Sequence, residues 1–460
     1  FAKEKKVIAL NKSDTSIAIA MEDPEDLAAL DSIKKLTKLT PEILIASQSD
    51  INEALEILYD KIKKSDEVES AISNITIVQG DEDDGDELDL ATEEVSAEDA
   101  PFVKLVNLIL TEAIKEGSTD IHIEPGRDEV NVRIRIDGIL IKIMTPPVSS
   151  LNGIVARIKI LSKLNIAEHR LPQDGRMKIK TSDRDIDVRV SILPTVHGEK
   201  IVLRLLGSGN KTLTLQNLGF PENKLKIFRK WINQPYGMVI ISGPTGSGKS
   251  TTLYAALSEI MSEDINITTV EDPVEYQIPG INQVQMHDEI GLNFSASLRS
   301  ILRQDPDVLL IGEIRDEETA DIAVKFSLTG HLVFSTVHAN DAPSTITRLL
   351  DLGIPPFLLG SSLNLVMAQR LIRTIDKDSK EKYTPTNEEL ERMNLAKDAN
   401  KIDFYRGKPT NSNHNTGYKG RTAIHEILQV NSDMRQLIYE NANQNAIYET
   451  AMKNGMTPLR

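Results

Sequence analysis

The 460-residue chain contains no cysteine. Disulfides, thiolate metal sites and cysteine nucleophiles are therefore excluded, and an intracellular location fits. Aromatic residues make up only 4%, so the cores have to be built from aliphatic side chains. No stretch of about 18 apolar residues occurs, so no transmembrane helix is predicted, and no signal-peptide pattern is found. A basic block is missing too: 53 Lys and Arg against 69 Asp and Glu give a net charge of −16 and a pI of about 5.1. Holding nucleic acid requires a basic track that neutralises phosphates. DNA or RNA is therefore not expected as the main substrate, although a pore lined by a few arginines would escape this test. The chain opens on Phe1 rather than Met and stops at Met456-Thr457-Pro458-Leu459-Arg460 without a turn or tail. It is expected to be a fragment of a longer protein.

What is present is an ordinary core-forming balance, 40% hydrophobic and 27% charged residues. At roughly 100–200 residues per domain, the length predicts two to four domains. Residues 1–65 read as a small α/β module, with strands at Val7–Leu10 and Ser16–Ala20 and helices over 26–33 and 51–63. Residues 81–100 carry eleven Asp or Glu and no Lys or Arg, so 66–100 is expected to be an acidic flexible linker. Over 101–206 an α+β unit is predicted. It has a helix at 102–116, an alternating strand Val130–Ile136, an Asp137-Gly138 hairpin turn, and strands at Met177–Lys180, Asp185–Ile192 and Lys200–Leu206. A connector spans 207–220. From Pro235 onward, short apolar runs at Gly237–Ser242, Ile265–Val270, Val308–Ile311 and Leu332–Thr336 alternate with helical stretches. That alternation predicts a mostly parallel sheet covered on both faces.

Gly243-Pro244-Thr245-Gly246-Ser247-Gly248-Lys249-Ser250 matches G-x-x-x-x-G-K-[ST] in full, between a predicted strand and a predicted helix, Ser250–Met261. Glycines let the backbone N–H groups turn inward on phosphate oxygens, and the helix N-terminus adds partial positive charge. Lys249 is expected to reach the β- and γ-phosphates and Ser250 to ligate Mg²⁺, with Thr251 following in the nucleotide site. Hydrolysis also needs a positioned water and a neutralised metal. Val270-Glu271-Asp272-Pro273-Val274-Glu275 follows a strand, where ligands bind in open α/β sheets. Glu275 is the candidate for polarising the attacking water, with Glu271 and Asp272 as secondary candidates. Asp307–Glu313 is an apolar strand ending in an acid, which gives Glu313 the place beside Mg²⁺ or its bound water. His338, at the end of Leu332–Val337, is a candidate for contacting the γ-phosphate, although a histidine there is more often a structural hydrogen-bonding residue. Arginines at 299, 303, 315 and 348, and earlier at 176, 189 and 204, are surface charges or arginine fingers.

The order of these segments resembles the secretion ATPases of type II secretion and type IV pilus assembly. The P-loop is followed by Glu271-Asp272-Pro273-Val274-Glu275, by Leu302-Arg303-Gln304-Asp305-Pro306-Asp307 and Gly312-Glu313-Ile314-Arg315-Asp316, then by Thr329-Gly330-His331 and His338. Upstream, Ser118–Pro125, Arg135–Gly138 and Gln173–Arg176 carry the same likeness, so that 100–460 resembles the family strongly and the first module weakly. The resemblance implies a RecA-like ATPase core over 221–372, preceded by a PAS-like α+β domain and a partial N-terminal docking module. It implies a homohexamer that hydrolyses ATP with Mg²⁺ to drive an inner-membrane platform protein, cytoplasmic and docked at the inner membrane through partner proteins. By position it makes Glu275 the catalytic glutamate, Glu313 the Walker B glutamate and His338 the histidine-box residue. Arg189 and Arg204 match arginines of the preceding domain that face the phosphates.

One departure is clear. Many relatives carry two Cys-x-x-Cys pairs that bind zinc; the matching places here are Asp376 and Ser379, then Thr410 and Asn413. No zinc site is expected, and the subdomain 373–421, which precedes a C-terminal helical part at 422–460, is expected to be held by packing alone or to be looser. Type II secretion is the first expectation and type IV pilus assembly the alternative. Val274-Glu275-Tyr276 and Ser327-Leu328-Thr329 lean towards secretion, and Gly280–Gln285 towards pilus assembly. A RecA-like nucleic-acid translocase is the reading from a different class, disfavoured by the charge. A non-hydrolysing scaffold is disfavoured by the presence of Glu275 and Glu313.

Overall fold

In the computed structural model the described residues are 5–12, 15–24, 26–48, 50–51, 75–78, 100–181, 185–206, 214–393, 395 and 402–459. The expected helix beyond Ile51, nearly all of the acidic stretch and the first part of the 207–220 connector lie outside them. Two compact units are present: Phe1–Val132 with Met144–Arg204, and Arg133–Ile143 with Leu205–Arg460.

The first unit opens with strands β1 (Val7–Lys12), β2 (Ser16–Met21) and β3 (Thr40–Ile45), β2 lying between an antiparallel and a parallel neighbour. The helix Leu27–Thr37 makes the crossover between β2 and β3. Asp26 starts it, its Oδ1 accepting from the Ala29 N–H at 3.0 Å. Ala29 and Ile33 bury against Val7, Ile17, Ile19 and Met21. A seven-stranded sheet then follows the order β4-β8-β9-β10-β5-β6-β7, of which residues 133–143 are counted with the second unit. Its strands are β4 (Ile75–Val78), β5 (Asp120–Pro125), β6 (Val130–Ile136), β7 (Ile139–Met144), β8 (Gln173–Thr181), β9 (Asp185–Thr195) and β10 (Gly198–Leu206). On β6, Val130, Val132 and Ile134 are fully buried, the face that the alternation predicts. Helices Ala100–Lys115 and Leu151–Leu161 belong to this unit; the second has no counterpart in the sequence expectations.

The second unit is built on a sheet of order β13-β12-β14-β15-β11-β16-β19. The strands are β11 (Gly237–Ser242), β12 (Ile267–Glu271), β13 (Asn282–Gln285), β14 (Val308–Ile311), β15 (Leu332–Val337), β16 (Leu363–Ile375) and β19 (Tyr418–Gln429), with the short β17 (Lys380–Lys382) and β18 (Tyr405–Gly407) paired apart. All neighbours are parallel except β16 and β19. Alternate residues of β11 enter opposite cores. Val239 and Ile241 pack with the helices Glu222–Ile232 and Lys249–Ile260, while Met238 and Ile240 pack with Glu317–Leu328 and Ala342–Asp351. Burial on both faces is the reason these strands read as unbroken apolar runs. The parallel register also brings the carboxyl ends of β11, β12, β14 and β15 to one edge, where open α/β sheets bind ligands.

Between β16 and β19, the described residues of 376–417 are tied by more than packing. Asn413, 1% exposed, uses its whole amide. Its Nδ2 shares its two protons among Asp376 Oδ2 at 3.1 Å, Ser379 Oγ at 3.0 Å and the Lys408 carbonyl at 3.0 Å. Its Oδ1 accepts from the Thr410 N–H at 2.9 Å and the Gly417 N–H at 3.0 Å. Asp376, Ser379, Thr410 and Asn413, the four places where the resemblance sets cysteines, thus meet in one hydrogen-bonded knot. Among the described residues no group of three or more His, Asp or Glu could hold a metal ion.

Candidate nucleotide site

The phosphate loop leaves β11 at Ser242 and enters the helix Lys249–Ile260, one residue earlier than the pattern predicts. Gly248 caps that helix in the left-handed region, at φ 85°, and no side chain caps its first turn. The first-turn N–H groups are therefore left for an anion, the arrangement that suits a phosphate. At Gly246, φ is 75° and an added Cβ would meet nothing within 4 Å, so the loop wall stays open there. Lys249 Nζ folds over the loop, donating to the carbonyls of Gly243 at 3.0 Å and Pro244 at 3.2 Å. Burial pushes its ammonium below the ordinary lysine range, and Arg370 adds to this, against the opposing pull of Glu313. Ser250 is exposed at the helix start. These residues fit a triphosphate with a divalent cation: Lys249 and the loop N–H groups for the phosphates, the Ser250 hydroxyl for the metal.

Gln369 is a residue of this site that the sequence reasoning missed. It is 1% exposed on β16, donates from Nε2 to the Ser247 carbonyl at 2.8 Å, and accepts at Oε1 from Thr252 Oγ1 at 2.9 Å. It thereby ties the loop to the second turn of its helix. The only signal was a polar residue closing the apolar run Leu365–Ala368.

Glu313 and His338 come together. Gly312-Glu313 follows β14 and His338 follows β15, and Thr336 Oγ1 donates to the Gly312 carbonyl at 2.7 Å, locking the two strand ends. His338 Nε2 lies 3.1 Å from Glu313 Oε2. Arg315 pairs with the other oxygen of Glu313 and reaches Asp272 Oδ2 at 3.7 Å. His331 stands at the opposite end of β15, its Nδ1 3.1 Å from the Phe326 carbonyl.

The acidic segment divides by role. Glu271 is the last residue of β12, not part of the loop after it, and is 4% exposed. Its Oε1 accepts from Thr269 Oγ1 at 2.6 Å and Gln283 Nε2 at 3.3 Å, and its Oε2 takes the short hydrogen bond of the Tyr254 hydroxyl. A carboxylate so occupied is a scaffold, not a base for water. Burial pushes its pKa up, against the pull of those donors. Glu275 is half-buried in the following loop; its main-chain N–H donates to Tyr254 Oη at 3.2 Å.

Arg189 and Arg204 lie in the first unit. Arg189 is on β9 opposite Arg176 of β8, and Arg204 Nε donates to Asp120 Oδ1 at 3.1 Å with its side chain 60% exposed. In the second unit Arg299 pairs with Glu318, and Arg303 donates to the Arg299 carbonyl at 2.9 Å.

Residues 95–460 match the family model of the type II/IV secretion system proteins. The chain belongs to that family. Residues 1–64 match the MshEN domain. A type IV pilus assembly ATPase PilB of Myxococcus xanthus is 44% identical over the whole chain and 81% of its own length. A type II secretion system protein E of Xanthomonas campestris is 42% identical over the whole chain and 80% of its own length. The type II secretion system ATPase E of Vibrio cholerae is 42% identical over 96% of this chain and 88% of its own. Among solved structures, the ATPase DotB of Legionella pneumophila has a TM-score of 0.55 at 21% identity, covering 76% of this chain and 86% of its own, a likeness of fold alone. The pilus retraction motor PilT with bound ADP has a TM-score of 0.50 at 25% identity over 76% of this chain and 94% of its own. This member of the secretion family is thus an ATPase with a RecA-like core and an N-terminal MshEN module. No helix among its described residues is long and apolar enough to cross a membrane.

Proposed function

We propose that the chain is the hexameric motor of type II secretion, turning over ATP with Mg²⁺ at the cytoplasmic face of the inner membrane to drive assembly of pilin-like subunits. The observation that carries the catalytic half is the meeting of four strand ends at one sheet edge: β11 with the Lys249 loop, β14 and β15 with the pair Glu313–His338, and β12 with the Glu275 loop. Lys249 and the loop 243–251, through its N–H groups other than at Pro244, which has none, hold the phosphates. A bound Mg²⁺ would neutralise phosphate charge, held by Ser250, with Glu313 on its water side. Glu275, whose carboxylate has no hydrogen-bond partner among the described residues, takes the proton of the attacking water. His338 reads the terminal phosphate beside Glu313. In this reading Arg189 and Arg204 bring positive charge from the preceding domain, taken as 101–206, to the core taken as 221–372.

Support for the secretion half comes from the relatives matched over nearly the whole chain. Two of the three described above are named for type II secretion. The MshEN match at the N-terminus supports a docking module for a membrane partner, and the platform protein's cytoplasmic domain is the second partner. A specific observation favours one alternative, type IV pilus assembly: the 44% identical relative is a pilus assembly ATPase. Nucleic acid has no part in this reading, in keeping with the net charge of −16.

Disrupting the gene in its host separates the machines. Loss of secreted exoproteins with pili intact is expected, and the converse would move the chain to pilus assembly. Stimulation of the ATPase by DNA would revive a translocase. Arg204→Ala is expected to lower the rate about tenfold or more in assembled hexamers and far less in monomers, measured on size-separated fractions. Equal loss in both states would exclude a role across subunits.

A further inference from the structure

We propose that Tyr254 is a positioning residue for Glu275, fixing the base to the helix that begins with Lys249 and Ser250. This rests on the assignment of Glu275 as base made above. Tyr254 lies on the phosphate-loop helix and is 1% exposed. Its hydroxyl has one proton, and that proton goes to Glu271 Oε2. A lone pair of the same oxygen then accepts from the Glu275 main-chain N–H at 3.2 Å. Donating to a carboxylate polarises the hydroxyl and strengthens what it accepts. Glu271 is itself fixed from below by Thr269 at 2.6 Å.

The rest of the loop is pinned from the other side of Glu275. The Tyr276 ring meets Tyr254 edge-on, with centroids 4.7 Å apart and planes at 79°. Gln283 of β13 accepts from the Ile278 N–H at 2.6 Å and donates to the Tyr276 carbonyl at 3.2 Å. Every one of these contacts uses main chain or a neighbouring ring; none uses the Glu275 carboxylate. The network therefore sets where the base stands while leaving its oxygens for water. Displacing a reacting group by about 1 Å can cost on the order of 10²-fold in rate, so a hydroxyl that holds the base by its own peptide bears directly on turnover.

Tyr254→Phe keeps the ring and removes only the hydroxyl. The expected result is kcat about tenfold lower, with KM for ATP and equilibrium binding of a fluorescent ATP analogue within twofold of wild type. A lesion that merely loosened the fold would weaken binding as well. The decisive comparison repeats the substitution in Glu275→Gln, followed by single-turnover hydrolysis of radiolabelled ATP; there Tyr254→Phe is expected to change the residual rate by less than twofold. An unchanged kcat in Tyr254→Phe, or equal losses in both backgrounds, overturns the proposal and leaves the assignment of Glu275 standing. Wild-type turnover in Glu275→Gln alone overturns both. Should Tyr254→Phe fail to fold, Glu271→Gln is the second variant. It keeps the volume, removes an acceptor, and is expected to lower kcat several-fold at constant KM, a constant kcat again overturning the proposal.

Discussion

The loop after β12 and the segment between Asp376 and Gly417 solve one problem with different chemistry. Each has, among its described residues, one buried polar group on which several hydrogen bonds converge. In the first that group is a carboxylate, Glu271, answered by a hydroxyl on the phosphate-loop helix, by Thr269 and by Gln283. In the second it is a neutral amide, Asn413, tying Asp376, Ser379 and three backbone groups. The carboxylate network ends on the peptide of the residue proposed as base, whereas the amide knot ends on nothing proposed to touch nucleotide. Disturbing the first should therefore appear as rate, and disturbing the second as stability.

The largest expected effect is at the end of the first network. Glu275→Gln should abolish turnover, by about 10³-fold or more, while ATP binding persists, because phosphate loop and fold stay intact. Phosphate release and fluorescent-nucleotide titration read the two quantities separately, and wild-type turnover would remove Glu275 as the base. Asn413→Ala makes the opposite case. It removes one of the donors to the Asp376 carboxylate and leaves the Thr410 and Gly417 N–H groups without their acceptor, at a cost of about 2–4 kcal/mol. Faster hydrogen exchange and proteolysis confined to 376–417 are expected, with kcat within twofold of wild type. The amide also holds the Asp376 carboxyl below the usual aspartate range. Its contribution is therefore present above the ordinary aspartate pKa and fades as pH falls through the lowered one, in wild type but not in Asn413→Ala. Uniform exchange across the whole unit would show that the knot is not a local device.

The two networks also mark how far the sequence could be read. β11 and β14 stand where their apolar runs place them, and the phosphate loop announces its helix, because those signals are local. The four carboxyl-terminal sites were legible because parallel strands deliver their ends to one edge. What stayed hidden is contact across the fold. Nothing in Leu253-Tyr254-Ala255 tells that its hydroxyl meets Glu271, 17 residues on, and Asn413 reaches partners 34 and 37 residues away. Glu271 shows the cost: as one of several acids after a strand it resembles a base, and only its burial reveals a scaffold. The parallel pairing of β16 with β11, which carries Gln369 to the phosphate loop, was equally beyond local pattern, since pairing partners are set by tertiary packing.

His425 sharpens the comparison by breaking its rule. It is 2% exposed on β19, stacked on Phe220 with centroids 3.7 Å apart, and neither ring nitrogen has a hydrogen-bond partner. Burial, with the charge of Lys224 adding to it, pushes its pKa down to about 4. The folded protein thus keeps the ring neutral where the unfolded chain, with an ordinary value of about 6.5, takes up a proton. Stability attributable to this residue is full above about pH 6.5 and falls as pH drops towards about 4, by on the order of 3 kcal/mol at most. The acids Glu271 and Glu426, whose values are pushed up by burial, titrate with the opposite sign, but they are common to wild type and a His425→Phe variant. The stability difference between those two proteins, from urea melts at pH 7 and pH 4.5, should therefore shift in favour of the Phe variant by about 1–3 kcal/mol on acidification. A difference that stays constant with pH would mean that the ring finds a partner for its proton, and that this third buried polar group follows the same rule as Glu271 and Asn413.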